Sequence, residues 1–275
     1  MEVQYKECEH HVFAALTEHM IEHRQYSILQ ETLHQADAKK WQKQITLTQL
    51  AQAYLTNDLE SIRELAVVLE RNYLLAPSQL ELRIYSYIHH MNQLYERQAW
   101  TDYFRAISPV MVDLFALLIE RHAIPELSHY MEPVIKPTDD GRQIYKGLHW
   151  IQEKIEADDN VIRKTWQSYY GDYFNYGHYV SSSHLIKLMQ DTMDPSFVTP
   201  AQTLRRIEKD IRNIVAHEAI YLSPERIYHR SLMTAEEIHQ LLHHLCQQAQ
   251  LNDPRQIGIL SNIDEELRTS IHQDF

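Results

Sequence analysis

Arg212 and His217 stand five residues apart in the string Arg212-Asn213-Ile214-Val215-Ala216-His217. Histidine changes charge near neutral pH and can take or give a proton. Arginine is a permanent, planar donor whose fork matches two phosphate oxygens. Asn213 beside it can orient the histidine or bind a phosphate oxygen. Side chains of these types suit proton transfer coupled to charge stabilisation at a phosphate. Spacing alone leaves a second reading open, in which His217 is a cation at a helix C-terminus and Arg212 pairs with Glu208 one turn earlier.

The element that must position them is a helix. Leu204, Ile207, Ile211, Ile214 and Val215 fall within about 60° of one another's mean direction at Ile211, one core face on a wheel of about 100° per residue. On that wheel Arg212 lies near about 100°, Ala216 about 140°, Asn213 about 200° and His217 about 240°. They form a polar arc, with a small residue between Arg and His that lets another helix or a substrate come close. Glu218 falls toward the apolar face near the helix end and calls for a pairing partner or local fraying. Around the arc lie Arg205, Arg206, Lys209, Arg226 and Arg230, candidates for binding nucleic acid, and residues 205–230 hold six basic against four acidic side chains.

That segment is locally basic in a chain whose formal net charge is −12. A like-charged surface repels phosphate, which excludes broad adhesion to DNA or to an anionic membrane and leaves only a local nucleic-acid site. Five glycines, at 141, 147, 171, 177 and 258, admit neither a GxGxxG nor a Walker loop, so dinucleotide and P-loop chemistry are excluded. Cys8 and Cys246, the only cysteines, supply no disulfide framework and no CxxC pair, a usage that fits a reducing cytoplasm. The start, MEVQYKECEHH, lacks the order of a signal peptide, and the best apolar stretch, 110–119, is interrupted by Asp113, so a soluble cytoplasmic protein is expected. Eighteen histidines invite a metal reading. His19/His23 and His239/His243 each put two imidazoles on one helix face, but neither forms HExxH and no third ligand is evident, so packed or solvated histidines are expected and no metal is assigned.

Five Gly and nine Pro in 275 residues, against about 12% in average usage, favour long helices. Helical spacing covers 10–35 (Phe13, Leu16, Met20, Ile28), 47–55, 59–75, 80–95 and 103–121. The Pro- and Gly-bearing stretch 132–141 is expected to be a loop or insertion, with helix resuming from Ile144 to Ile155. The aromatic run Trp166 to Tyr179 reads as rings covering a core or, more sharply, as a base-stacking platform. Ser181 to Ser183 cap a helix over 184–190. Thr199-Pro200-Ala201-Gln202 predicts the start of the helix that carries Arg212 and His217, running to about Tyr221. Thr234-Ala235-Glu236-Glu237 opens a last helix through Gln248. The expected fold class is all-α: a multi-helix bundle of about ten helices, divided into an N-terminal helical domain, 1–76, and a second domain, 77–275.

The string from Arg212 to His217 resembles the RxxxxH motif of HEPN ribonucleases, in the RNxxAH form seen among CRISPR-associated members. TDYFRAISPVMVDLFALLIE (101–120) and YVSSSHLIKLM (179–189) are similar to the Csm-type ancillary ribonucleases of type III-A CRISPR systems. The resemblance covers roughly the last 200 residues. It implies a C-terminal HEPN domain that cleaves single-stranded RNA without a metal, by attack of the 2′-hydroxyl. Arg212, Asn213 and His217 would be catalytic, at a composite site shared by two chains of a homodimer in antiviral defence. Members typically carry an N-terminal CARF sensor for cyclic oligoadenylate. This sequence has no βαβ rhythm, so that ligand is expected to act only through a sensor absent from this chain. No cofactor and no membrane partner are implied. Two other readings remain: a non-enzymatic helical interaction module, and a histidine-rich metal-dependent hydrolase.

Overall fold

The computed structural model describes residues 2–137, 139, 143–157, 159–217 and 221–273; the side chains of 2–10, 143, 212–214, 216 and 217 are outside it. In chain order the helices are α1 (Glu2–Glu22), α2 (Tyr26–Asp37), α3 (Gln42–Thr56), α4 (Leu59–Val68), α5 (Gln79–Glu96) and α6 (Trp100–His122). A hairpin of β1 (Met131–Pro137) and β2 (Gln143–Trp150) follows. Then come α7 (Gln152–Ala157), α8 (Val161–Tyr170), α9 (Ser182–Thr192), α10 (Pro195–His217), α11 (Pro224–Ser231), α12 (Ala235–Gln248), α13 (Pro254–Ile257) and α14 (Ile259–Gln273). The protein is all-α, 75% helical, and among the described residues its one sheet is the two-stranded hairpin. Among those residues no helix is long and apolar enough to cross a membrane.

The chain forms two compact units, 1–93 with 252–275, and 94–251. In the first, α2, α3 and α4 bury Leu29, Leu33, Leu50 and Ile62, and α14 completes the same core with Ile259, Ile263, Leu267 and Ile271. The four-residue spacing of those isoleucines and leucine keeps them on one helix face. Buried polar bonds fix the returning segment. Tyr26 Oη donates to Asp264 at 2.6 Å, and Tyr54 Oη donates to the Gln256 side chain at 3.0 Å. His89 Nε2 meets the Gln256 carbonyl at 2.8 Å, and the Asp253 N–H donates to Tyr85 Oη at 3.2 Å.

The second unit is built around α6. From Val110 to Ile119 this helix is buried on nearly every side, while Asp102, Arg105 and Pro109 leave one face of its first turns exposed; Phe104, Ile107, Val110, Leu114, Phe115 and Leu118 are fully enclosed. Helices α9, α10 and α12 pack on it. Beside them the aromatic run closes a smaller cluster: Trp166 is buried and stacks on Phe174 at 4.5 Å, while Trp150 donates to His184 Nδ1 at 3.3 Å. Tyr173, by contrast, is 92% exposed.

Several expectations are corrected. Residues 132–137 and 144–150 form the hairpin rather than a loop and a helix, and helix resumes only at Gln152. β1 is an edge strand, the place in a sheet where proline is tolerated, which accommodates Pro133 and Pro137. Much of the hairpin faces solvent, so the apolar alternation that marks a half-buried strand is missing. The stretch 59–75 is broken after Val68, where Glu70 takes a positive φ of 57°, and Asn72–Leu75 is a 3₁₀ turn. Gln248 does not end the last helix, since α13 and α14 follow, and fourteen α-helices rather than ten are found among the described residues.

Half-buried histidines of the second unit give it an acid limit. His239 stacks on Tyr95 at 4.1 Å, and burial together with His243 lowers its pKa to about 4 from 6.5; burial, Lys187 and His178 do the same to His184. The folded state refuses protons that the unfolded chain accepts, so stability is full above pH 6.5 and is lost as pH falls toward 4. Melting temperature should therefore drop between about pH 6.5 and 5, where carboxylates still contribute little. Calorimetry of a His184→Asn/His239→Asn variant should show a shallower slope; an identical slope would count against the assignment.

Candidate active site

Helix α10 begins earlier than Thr199. The Asp194 carboxylate accepts the Ser196 N–H at 2.8 Å and its carbonyl accepts the Phe197 N–H at 3.0 Å, which starts the helix at Pro195. Asp followed by Pro is the same cap chemistry as Thr followed by Pro, placed five residues upstream. Pro200 then lies inside the helix and cannot donate to the Ser196 carbonyl. Gln248 Nε2 donates to that carbonyl instead, at 3.1 Å, so the lost helical bond is replaced from α12.

The core face is the one the wheel selects. Leu204, Ile207, Ile211 and Val215 are buried, as is Ala201. Glu208 is also buried, at 2% exposure, and this polar anchor is missed by apolar periodicity. It accepts from Ser108 of α6 at 2.5 Å and from Arg205 Nη1 at 2.7 Å. The opposite end of the segment is tied down too: Leu222 is fully buried, and its N–H donates to Thr101 Oγ1 at the start of α6 at 3.3 Å.

The described part of α10 ends at His217, short of the expected Tyr221, which is exposed and not helical. The backbone of Arg212 to His217 thus occupies the last described turns of α10, between two buried anchors, Ile211 before it and Leu222 beyond it. The side chains of Arg212, Asn213 and His217, and Glu218 as a whole, lie outside the described residues. On an α-helix a five-residue step turns by about 140° and rises about 7.5 Å.

Of the basic candidates, Arg206 and Lys209 are exposed on α10, and Arg226 and Arg230 are exposed one turn apart on α11, which packs against α10. Arg205 differs: its guanidinium is bound to Glu208. The α11 start is built by Ser223, which caps the Arg226 N–H at 3.4 Å, with Pro224 at the first helical position.

A family model described as the Cas_Csm6 HEPN domain matches residues 73–268. The chain belongs to this family. Csm6-type HEPN proteins are ribonucleases of type III CRISPR systems, and the matched stretch includes the whole of α10 and α11. No curated protein matches the chain.

In this Csm6 HEPN chain the histidine pair His239/His243 does not present a metal face. The two Nε2 atoms lie 3.2 Å apart, and Tyr103 Oη lies 3.1 Å from His239 Nδ1, so both ring nitrogens of His239 are occupied within the protein. Cys246 is buried on the same helix, and burial pushes its thiol up to about 12, well away from thiolate chemistry.

Glu208 should carry much of the α6–α10 register. Glu208→Ala leaves Arg205 and Ser108 without their acceptor and should cost on the order of 2 kcal/mol, less than the loss from a wholly buried pair because the Arg205 side chain keeps 28% exposure. Ser108→Ala should cost about 1 kcal/mol. Urea unfolding of the two variants checks the order; a larger loss in the serine variant would contradict it.

Proposed function

We propose that this chain is a metal-independent endoribonuclease that cleaves single-stranded RNA through the 2′-hydroxyl, in the cytoplasm, as part of type III CRISPR defence. The observation that carries the proposal is the position of Arg212-Asn213-x-x-Ala216-His217: it forms the last turns of a core-anchored helix inside the matched Csm6 HEPN stretch. Residues 77–275 are taken as the ribonuclease domain. Any control by cyclic oligoadenylate comes through a sensor outside this chain, and no cofactor is required.

Transesterification needs three things: a base for the 2′-proton, an acid for the departing 5′-oxygen, and positive charge on the phosphorane. His217 supplies a proton-transfer group and Arg212 the charge, while Asn213 orients the histidine or holds a phosphate oxygen. One histidine cannot readily stand on both sides of an in-line displacement. The site is therefore completed by a second copy of the chain, which adds its own Arg212 and His217 in a twofold arrangement. Arg206, Lys209, Arg226 and Arg230 line the approach, and Arg205 acts mainly by holding Glu208. Single-stranded RNA is the substrate because its backbone can bend to in-line geometry.

Two experiments test this reading. His217→Ala and Arg212→Ala should each reduce cleavage by about 100-fold or more, with far-UV dichroism and melting nearly unchanged. Products should carry a 2′,3′-cyclic phosphate and a 5′-hydroxyl, a 2′-deoxy linkage should resist, and EDTA should have no effect. Full activity in His217→Ala, or activity lost in EDTA and restored by one divalent ion, would refute it.

Association provides a further test. Wild-type turnover per chain should fall on dilution below the dimer dissociation constant measured by sedimentation. A monomeric wild type with undiminished turnover would exclude the shared site. Mixing the two inactive variants then measures how far one Arg212 and one His217 suffice.

A further inference from the structure

The other histidine pair, at the end of α1, has a different surrounding. His19, Glu22 and His23 are exposed, and one ligand atom from each lies within 4.8 Å of the others. Their spacing of three and four residues places all three on one helix face. The rung beneath them is anchored from the opposite side, since Thr17, Met20 and Ile21 are buried.

The backbone under the cluster is also closed. The His23 N–H donates to the His19 carbonyl at 3.1 Å, the Arg24 N–H to Ile21 at 2.9 Å and the Gln25 N–H to Met20 at 2.8 Å. Arg24 takes a positive φ of 49° to make that turn. His23 is thereby held one residue past the last helical position, with its ring 4.4 Å from that of His19.

Nearby acids are committed elsewhere. Glu18 accepts from Arg268 at 2.8 Å, and Asp264 accepts from Tyr26 at 2.6 Å. Arg268, whose charge Glu22 also feels, has its Nε on Glu18.

We propose that His19, Glu22 and His23 bind one divalent transition-metal ion, of which Zn²⁺ is the natural probe. Two imidazole nitrogens and a carboxylate oxygen form a facial set that leaves a position for water. That donor set favours Zn²⁺, Ni²⁺ and Cu²⁺ over Mg²⁺, which prefers oxygen ligands alone. A cation at this place also meets the negative end of the α1 dipole. The backbone bonds of this turn fix the spacing of the three ligands before an ion arrives. The ion is structural rather than catalytic, because the chemistry proposed for Arg212 and His217 draws on no metal. It would bridge the last turn of α1 and the closing turn that leads into α2.

The test uses the untagged full chain and titration calorimetry with Zn²⁺, Ni²⁺ and Mg²⁺. The expected result is one equivalent of Zn²⁺ or Ni²⁺ bound with low-micromolar affinity, and no binding of Mg²⁺. His19→Ala and His23→Ala should each weaken this binding by roughly tenfold or more, and Glu22→Gln by less. In the wild type, Zn²⁺ should slow amide exchange in peptides covering residues 13–25. RNA cleavage by His23→Ala should match the wild type with or without EDTA, which separates this site from the nuclease reading. Absence of binding to the wild type, equal stoichiometry and affinity in a His19→Ala/His23→Ala variant, or unchanged exchange at 13–25 would each overturn the proposal.

Discussion

The seating of α10 on α6 depends on a buried carboxylate. Glu208 sits among the apolar side chains of α10, where an unpaired charge would be strongly unfavourable, and it is satisfied by Ser108 of α6 and by Arg205 of its own helix. Apolar packing alone tolerates sliding of one helix past another, whereas a short hydrogen bond between named atoms does not. The bond therefore sets where α10 stands along α6. Everything C-terminal to Glu208 on that helix, including the turns that carry Arg212 and His217, inherits the position. Leu222, buried and bonded to Thr101 near the other end of the same contact, fixes where the chain goes after α10.

The length of α10 requires compensation at its other end. A proline six residues into a helix leaves a carbonyl without its partner, and the Gln248 side chain supplies the missing donor to Ser196. Bonds from His122 Nε2 to the Gln248 carbonyl at 2.8 Å, and from Arg121 to the Ala249 carbonyl, tie the end of α6 to the end of α12. The beginning of α10 and the ends of α6 and α12 are thus joined by bonds to backbone carbonyls, groups that carry no sequence signature. The family match, 73–268, spans both compact units, and α14 near its end packs in the core of the first.

Identical spacing gives opposite chemistry in the two histidine pairs. His239 is half-buried, stacked on Tyr95 and bonded at both ring nitrogens, so burial keeps it neutral and engaged. His19 and His23 stand in solvent beside Glu22 at a helix end. An i, i+4 histidine pair is therefore a statement about a helix face, and the environment of that face decides whether it packs, titrates or ligates.

The sequence by itself determined the all-α class, the apolar face of the helix bearing Arg212 and His217, the capping box at Thr234 and Glu237, and the cap at Ser181. These are local properties: periodicity and capping act within one or two turns, so a single segment contains all the information needed. The tertiary structure decided the rest. It assigned the start of α10 to Asp194 rather than Thr199, because Gln248, about 50 residues away, could repair the helix around Pro200. It made a hairpin of 131–137 and 143–150, whose exposed strands lack the alternation that burial would have imposed. It also paired Glu208 with Ser108, a contact 100 residues apart in sequence that no helical wheel can register. Residue types and spacing name a chemistry, but the register that aims it is set by bonds between distant segments, which exist only once the chain has folded.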